Sequence, residues 1–345
     1  MAANDFLPEE FEFSHEYCFF LHDQLVETLK SAEEAKVFDI HFKFREPDHA
    51  KQIEGLSGEK FVQWMELNGY KTEVWLLYYK QICAALLSDF LHFIYEALQC
   101  SRKGKLTVTY ALLRKPFKEN LFLLEWLLAR PGEFLERFEW NDPSRFKLEK
   151  QASVEDQVSI IREALEHTPH GNWIPAEYLH ELRFRKDSPI SMESAWQKAN
   201  HLVTTFRFLE TEPCNFNFVF SNDDARYSQW EGLYLVLPIL LFHSVQVIEA
   251  IVSGFTRRQH HEQDIIPLRT VAGMLLWMKN PPMSADIEMA ETALRNQIEN
   301  AGLNCPKCDK PYIWHSANLL SFYEQGSVSC SNNCGTLNLH VEPGV

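Results

Sequence analysis

Apolar side chains recur along most of this chain at intervals of three and four residues, the spacing that gathers them on one face of an α-helix. Ser14 stands where it can cap a helix running to about Lys30, with Cys18, Leu21, Leu25 and Leu29 on one face and Val26 widening it. A loop carrying charged residues and Pro47 follows. Lys60 to Leu67 then reads as a short helix, and Lys71 to Gln99 as a long one almost free of breakers. Ser101-Arg-Lys-Gly-Lys105 is a tight connection, after which a second long helix runs from Leu106 to about Leu128, kinked at Pro116. Two long helices joined by so short a loop pack antiparallel. Arg130-Pro131-Gly132 ends the hairpin, and Glu133 to Phe138 begins a short third helix.

Asn141-Asp142-Pro143 and Ser153-Val-Glu-Asp156 mark further helix starts, the latter a capping box with Asp in the place of Glu. Trp173 to Phe208 reads as short helices broken by Pro175 and Pro189, and Phe216 to Phe220 as a lone strand or extended segment. The run from Leu233 to Val252 is apolar enough to suggest a membrane span. Its uninterrupted part is short, however, and His243, Gln246 and Glu249 follow at helical spacing, so it is expected as a buried core helix kinked at Pro238. Helices near Ile265 to Met278 and Met283 to Asn300 complete the body. The expected fold class is mainly α: a multi-helix body built on a long antiparallel hairpin, with a small β module at its C-terminus. Three regions are expected: an N-terminal helical region over 1–150, a second helical region over 151–302 packed with the first, and the small module over 303–345.

That module carries the most specific signal in the chain. Cys305-Pro-Lys-Cys308 is answered by Cys330-Ser-Asn-Asn-Cys334-Gly, two cysteine pairs spaced to offer four thiolates to one tetrahedral ion. Tyr312 to His315, Ser327 to Ser329 and Thr336 to Val341 can form short strands around them. The pattern resembles a zinc ribbon, which implies one structural Zn²⁺ held by Cys305, Cys308, Cys330 and Cys334. Four thiolates close the coordination sphere and leave no position for substrate. Lys307 and Lys310 stand against Asp309, Glu324 and Glu342, which is no electrostatic footprint for a phosphate backbone. Protein docking is the role expected of the module.

Composition narrows the class further. The 345 residues are 46% hydrophobic and carry a net charge of −15, a globular chain whose surface repels nucleic acid and anionic membranes. Cys18, Cys83, Cys100 and Cys214 are scattered in apolar or helical contexts, as unpaired thiols are. Reduced thiols, a zinc motif and an acidic N-terminus without an apolar leader point to the cytoplasm.

Two weaker constellations could carry chemistry. Arg162-Glu-Ala-Leu-Glu-His167 resembles the Arg-x4-6-His motif of HEPN nucleases, which implies metal-independent RNA cleavage with Arg162 and His167 as catalytic candidates. The competing reading pairs Arg162 with Glu166 on a solvated face and sets His167 at the negative end of a helix. The stretch from Ala111 to Phe138 resembles uncharacterised bacterial helical proteins allied to HEPN, whose Arg-x3-Glu spacing appears here as Arg114-x4-Glu119 or Lys115-x3-Glu119. A structural ion pair is expected there. His243, His260, His261, Glu262 and Asp264 are a metal-like set, but the adjacent histidines diverge on a helix and a surface patch is the expectation. Asp223 and Asp224 are expected to solvate a turn.

The sequence therefore points to an intracellular helical zinc-ribbon protein acting as a protein-binding or regulatory module, without membrane contact. The alternative is a HEPN-like RNase serving in stress or phage defence, a setting implied by the resemblance alone. It would use RNA as substrate and a homodimer to bring two Arg162–His167 pairs together.

Overall fold

The computed structural model describes residues 6–138, 153–206, 209–219, 221–255, 260–285, 288, 292, 296, 304–313 and 316–338. The architecture is mainly α, as the periodicity predicts. A 3₁₀ turn at Glu9–Phe11 leads into α1 (Glu12–Glu34), followed by the short α2 (His49–Gln52) and α3 (Gly58–Leu67). The hairpin follows: α4 (Lys71–Arg102) and α5 (Leu106–Lys115), continued through a π-helical turn at Pro116–Asn120 into α6 (Leu121–Ala129) and then α7 (Pro131–Arg137). Next come α8 (Val154–Glu166), α9 (Ala176–Phe184), α10 (Met192–Asn200), α11 (Asp223–Phe255) and α12 (His260–Lys279). The chain closes with α13 (Ser316–Gln325), β1 (Ser327–Ser329) and β2 (Thr336–Asn338).

The core assembles around α11, which packs against α1, α4, α5, α6 and α12. Its side chains from Leu233 to Ile248 are nearly all buried, and Pro238 lies inside the helix. Both α4 and α11 are long and apolar enough to cross a membrane. The apolar window of α11 is 83% buried within the protein, against 39% for α4. A helix apolar on all sides needs neighbours on all sides, and here the other helices supply them. One buried polar chain ties three of them together: Tyr234 of α11 lies 2.7 Å from His15 Nδ1 of α1 and 2.8 Å from Ser101 Oγ of α4.

Local starts and stops mostly follow the sequence signals. Ser153 and Asp156 form the expected capping box, and Gly104 (φ +67°) turns α4 into α5. Ser14 does not cap α1, because the helix begins two residues earlier, at Glu12. Its buried hydroxyl instead donates to the Pro281 carbonyl, 3.0 Å away. Phe216 to Val219 forms no strand, because Asn217 to Val219 is a turn, with Phe218 at φ +61° laid on Tyr110. Phe220, the start at 141–143 and most of the helix expected over 283–300 lie outside the described residues.

Helices on the two sides of 139–152 share one core. α6 packs on α8, α5 on α10, and the hydrophobic cluster runs from Leu7 to the C-terminal module. A small second cluster of Met65, Tyr70 and Val74 holds α3 against the start of α4.

Candidate metal centre

The two cysteine pairs come from two turns of similar construction. In the first, Cys305 N–H donates to the Lys310 carbonyl at 2.9 Å and Asp309 N–H to the Cys305 carbonyl at 2.8 Å, with Asp309 left-handed at φ +54°. In the second, Cys330 N–H donates to the Gly335 carbonyl and Asn333 N–H to the Cys330 carbonyl, each at 3.0 Å. Here Asn333 (φ +53°) and Gly335 (φ +127°) take the left-handed positions, residue types suited to that backbone. This second turn joins β1 to β2, which pair antiparallel with Val328 opposite Leu337.

The turns bring the four thiol groups within 4.8 Å of one another, so the cluster can hold a metal ion. All four cysteines are free, and Cys308 Sγ lies 3.7 Å from Cys330 Sγ, far outside bonding distance for a disulfide. A tetrahedron with metal–sulfur bonds of about 2.3 Å has an edge of about 3.8 Å, which this separation matches. Asn332 supplies N–H groups to the sulfurs, from its backbone to Cys330 at 3.4 Å and from its amide to Cys308 at 3.6 Å. The Asn332 hydrogen bond is the main cause drawing the Cys308 thiol down to about 6. Cys334, hydrogen-bonded to Cys308, is pushed up to about 12. Thiols this close cannot all ionise unless a cation sits between them.

The segment between the pairs follows the expectation in part: Ser327 to Ser329 forms the expected strand, β1. Ahead of that strand, among the described residues, lies a helix, α13, where the sequence reading expected no element. Ile313 is not in a strand, and Trp314 and His315 lie outside the described residues, as do Leu339 to Val341 at the end of the third expected strand. This helix is built into the body. Tyr323 packs on Phe13, Tyr17 and Phe20 of α1, and Arg269 of α12 donates to the carbonyls of Phe322 and Tyr323 at the end of α13. On the other side, Asn318 donates to the Ile313 and Ser329 carbonyls and so holds the two cysteine turns to the helix.

The remaining candidates are dispersed. Arg162 pairs with Glu177 of α9 rather than with Glu166, and His167 is the exposed C-cap of α8. Arg114 reaches Glu119 at 3.1 Å, a pair on the protein surface. The π-helical turn explains the spacing: one extra residue per turn brings i and i+5 onto the same face. Lys115 turns away to Asp89 at 2.8 Å. Asp223 is solvent-exposed at the start of α11 and pairs with Arg226, and Asp224 is exposed beside it. His243 is drawn to Glu125, 2.6 Å away, and the side chains of His260, His261, Glu262 and Asp264 lie outside the described residues.

Two buried charge clusters have no counterpart in the sequence reading. Arg183 of α9 donates two hydrogen bonds to Glu125 of α6, which also meets His243 of α11. Burial raises the Glu125 carboxyl, but the Arg183 charge and the His243 contacts outweigh it and hold the group below the usual carboxylate range. Lys118, in the π-helical turn, is fully engaged with both oxygens of Glu193 at 2.9 Å. The available signal was chemical: Glu125 interrupts the run Leu121-Phe-Leu-Leu-Glu-Trp-Leu-Leu128, and a carboxylate in so apolar a helix needs a partner. No protein-family model, curated protein or solved structure matched this chain.

Proposed function

We propose that the chain is an intracellular, zinc-stabilised protein that binds a protein partner as a regulatory module of the cytoplasm. The observation that carries this reading is the four-thiol cluster. Soft thiolate ligands at tetrahedral spacing favour zinc, and four of them leave no coordination position for water or substrate. The ion's role is therefore to hold the two cysteine turns, and with them β1 and β2, in the manner of a zinc ribbon. Because α13 lies between the turns and is packed on α1 and α12, the metal locks the ribbon to the body and fixes the surface the two present together. The net charge of −15 favours protein partners over nucleic acid.

Metal analysis of the purified chain, combined with an RNA-cleavage assay, tests this. One zinc per chain, lost in Cys305→Ser, is expected, with no RNase activity. A wild-type chain that holds no zinc overturns the metal assignment. Metal-independent RNA cleavage abolished by Arg162→Ala and by His167→Ala overturns the binding role.

A further inference from the structure

Between α10 and α11 the loop turns five apolar side chains to solvent, while Leu209 is buried and Phe218 packs on Tyr110. Leu202, Val203, Phe206, Phe216 and Val219 are each between 46% and 63% exposed. The inside of the same loop is a polar knot. Thr204 and Thr211 exchange hydrogen bonds, and the buried Asn217 donates from its backbone to the Leu202 carbonyl at 2.9 Å and from its side chain to the His201 carbonyl at 2.8 Å. The polar knot on the inside, beside Leu209, holds the five exposed apolar side chains in place.

Beside this rim lies an open groove of about 450 Å³, lined among others by Lys198, Glu210, Glu212, Asn215, Phe216 and Gln229. Neither Glu210 nor Glu212 has an ion-pair partner among the described residues. The Asn215 side-chain oxygen is shielded from solvent and accepts no hydrogen bond. Two carboxylates and an unused acceptor outweigh the single ammonium of Lys198, so the groove asks for a cationic donor.

We propose that this groove and its apolar rim dock a basic segment of a partner protein. Such a segment seats apolar anchors on Leu202, Phe216 and Val219 and lays a Lys or Arg against Glu210 and Glu212. An acidic segment is disfavoured both by the groove and by the overall charge. The proposal rests on the interaction reading above but not on its zinc, which lies in a different part of the chain.

The test is fluorescence anisotropy on the full zinc-loaded protein, with labelled Leu/Lys and Leu/Glu peptides of equal length as probes. The Leu/Lys peptide is expected to bind saturably at one site and the Leu/Glu peptide not at all. Glu210→Lys with Glu212→Lys, and separately Leu202→Ser with Val219→Ser, should each weaken binding by about tenfold with melting temperature and zinc content unchanged. No binding, or equal binding in either double variant, overturns the proposal. So does concentration-dependent self-association that Leu202→Ser with Val219→Ser abolishes, because a second copy then covers the rim. In each of those cases retained zinc and absent RNA cleavage leave the broader interaction reading standing.

Discussion

Arg183 and Glu125 face each other through two parallel hydrogen bonds of 2.9 and 2.8 Å, and neither side chain reaches solvent. Two ions taken fully out of water regain solvation from each other, from His243, 2.6 Å from the same carboxylate, and from the Leu179 and Phe117 carbonyls, which accept from Arg183. Such a cluster is costly to form and more costly to break. Glu125→Gln leaves Arg183 as a buried charge without a counter-ion, and a loss of about 3–5 kcal/mol is expected in chemical denaturation. A loss under 1 kcal/mol would mean that water enters the cluster.

A second expectation concerns pH. His180 is shielded, its Nε2 lies 2.9 Å from the accepting side-chain oxygen of Gln157, and its imidazole is lowered from 6.5 to about 4 by burial first and by the Arg183 charge second. Above pH 6.5 both the folded and the unfolded chain carry it neutral. Between 6.5 and about 4 the unfolded chain takes up a proton that the folded chain refuses, so stability falls as pH falls across that window. Glu125, held below its ordinary value, adds a loss in the same direction at more acid pH. The melting temperature should therefore decline from pH 6.5 to 4, and His180→Gln should flatten the upper part of that decline. An unchanged slope in the variant would remove His180 from the account.

Leu240 sits fully buried in the middle of α11. Leu240→Ala should cost about 2–5 kcal/mol by opening a cavity that the surrounding helices cannot refill. Urea denaturation of the purified variant measures it, and a cost below 1 kcal/mol would show that α11 is not central to the packing.

These features differ in how far the sequence disclosed them. Helical periodicity located α4, α5, α6 and α11, because an apolar stripe is a local property of the chain. The cysteine spacing located the four-thiol cluster that can hold a metal ion, for the same reason. Ser14 is the opposite case: its type suits an N-cap, but its hydroxyl is used by Pro281, 267 residues away in the chain. The α13 helix was hidden because Ser316 to Gln325 is short and lies between cysteine turns that suggest strands. Its stability comes from Phe322 and Tyr323 packing on the body rather than from its own pattern. The Glu125–Arg183–His243 cluster joins three distant helices, and no spacing rule connects them.

Gly273 of α12 marks where the body meets the C-terminal module. A Cβ there would stand 2.5 Å from Tyr17 and 2.8 Å from Tyr323, both ring atoms with no free end to swing away. Gly273→Ala should force α13 off α1 and α12 and destabilise the protein by about 1–3 kcal/mol, the usual range for overpacking. Limited proteolysis should then cut first near residues 304–338. Cleavage starting elsewhere would show that this contact does not anchor the module.

Removing one thiol of the proposed metal site tests the same junction from the other side. Cys305→Ser takes one thiolate from a closed set of four, and sites of this type contribute on the order of 10 kcal/mol to the folding of small zinc modules. Apart from Tyr312, Ser327 and Val328, the two cysteine turns and the β1–β2 pair bury little more than thiols, so their amides should lose protection from hydrogen exchange. α13 has a second source of stability in Phe322 and Tyr323 against α1, and in Arg269 at its end. Its amides should keep partial protection, and the far-ultraviolet helical signal should change little. Full protection throughout 304–338 in Cys305→Ser would show that the thiols do not carry the fold of the module. Loss of protection spreading into α1 and α12 would show instead that the proposed ion supports the body as well as the C-terminal module.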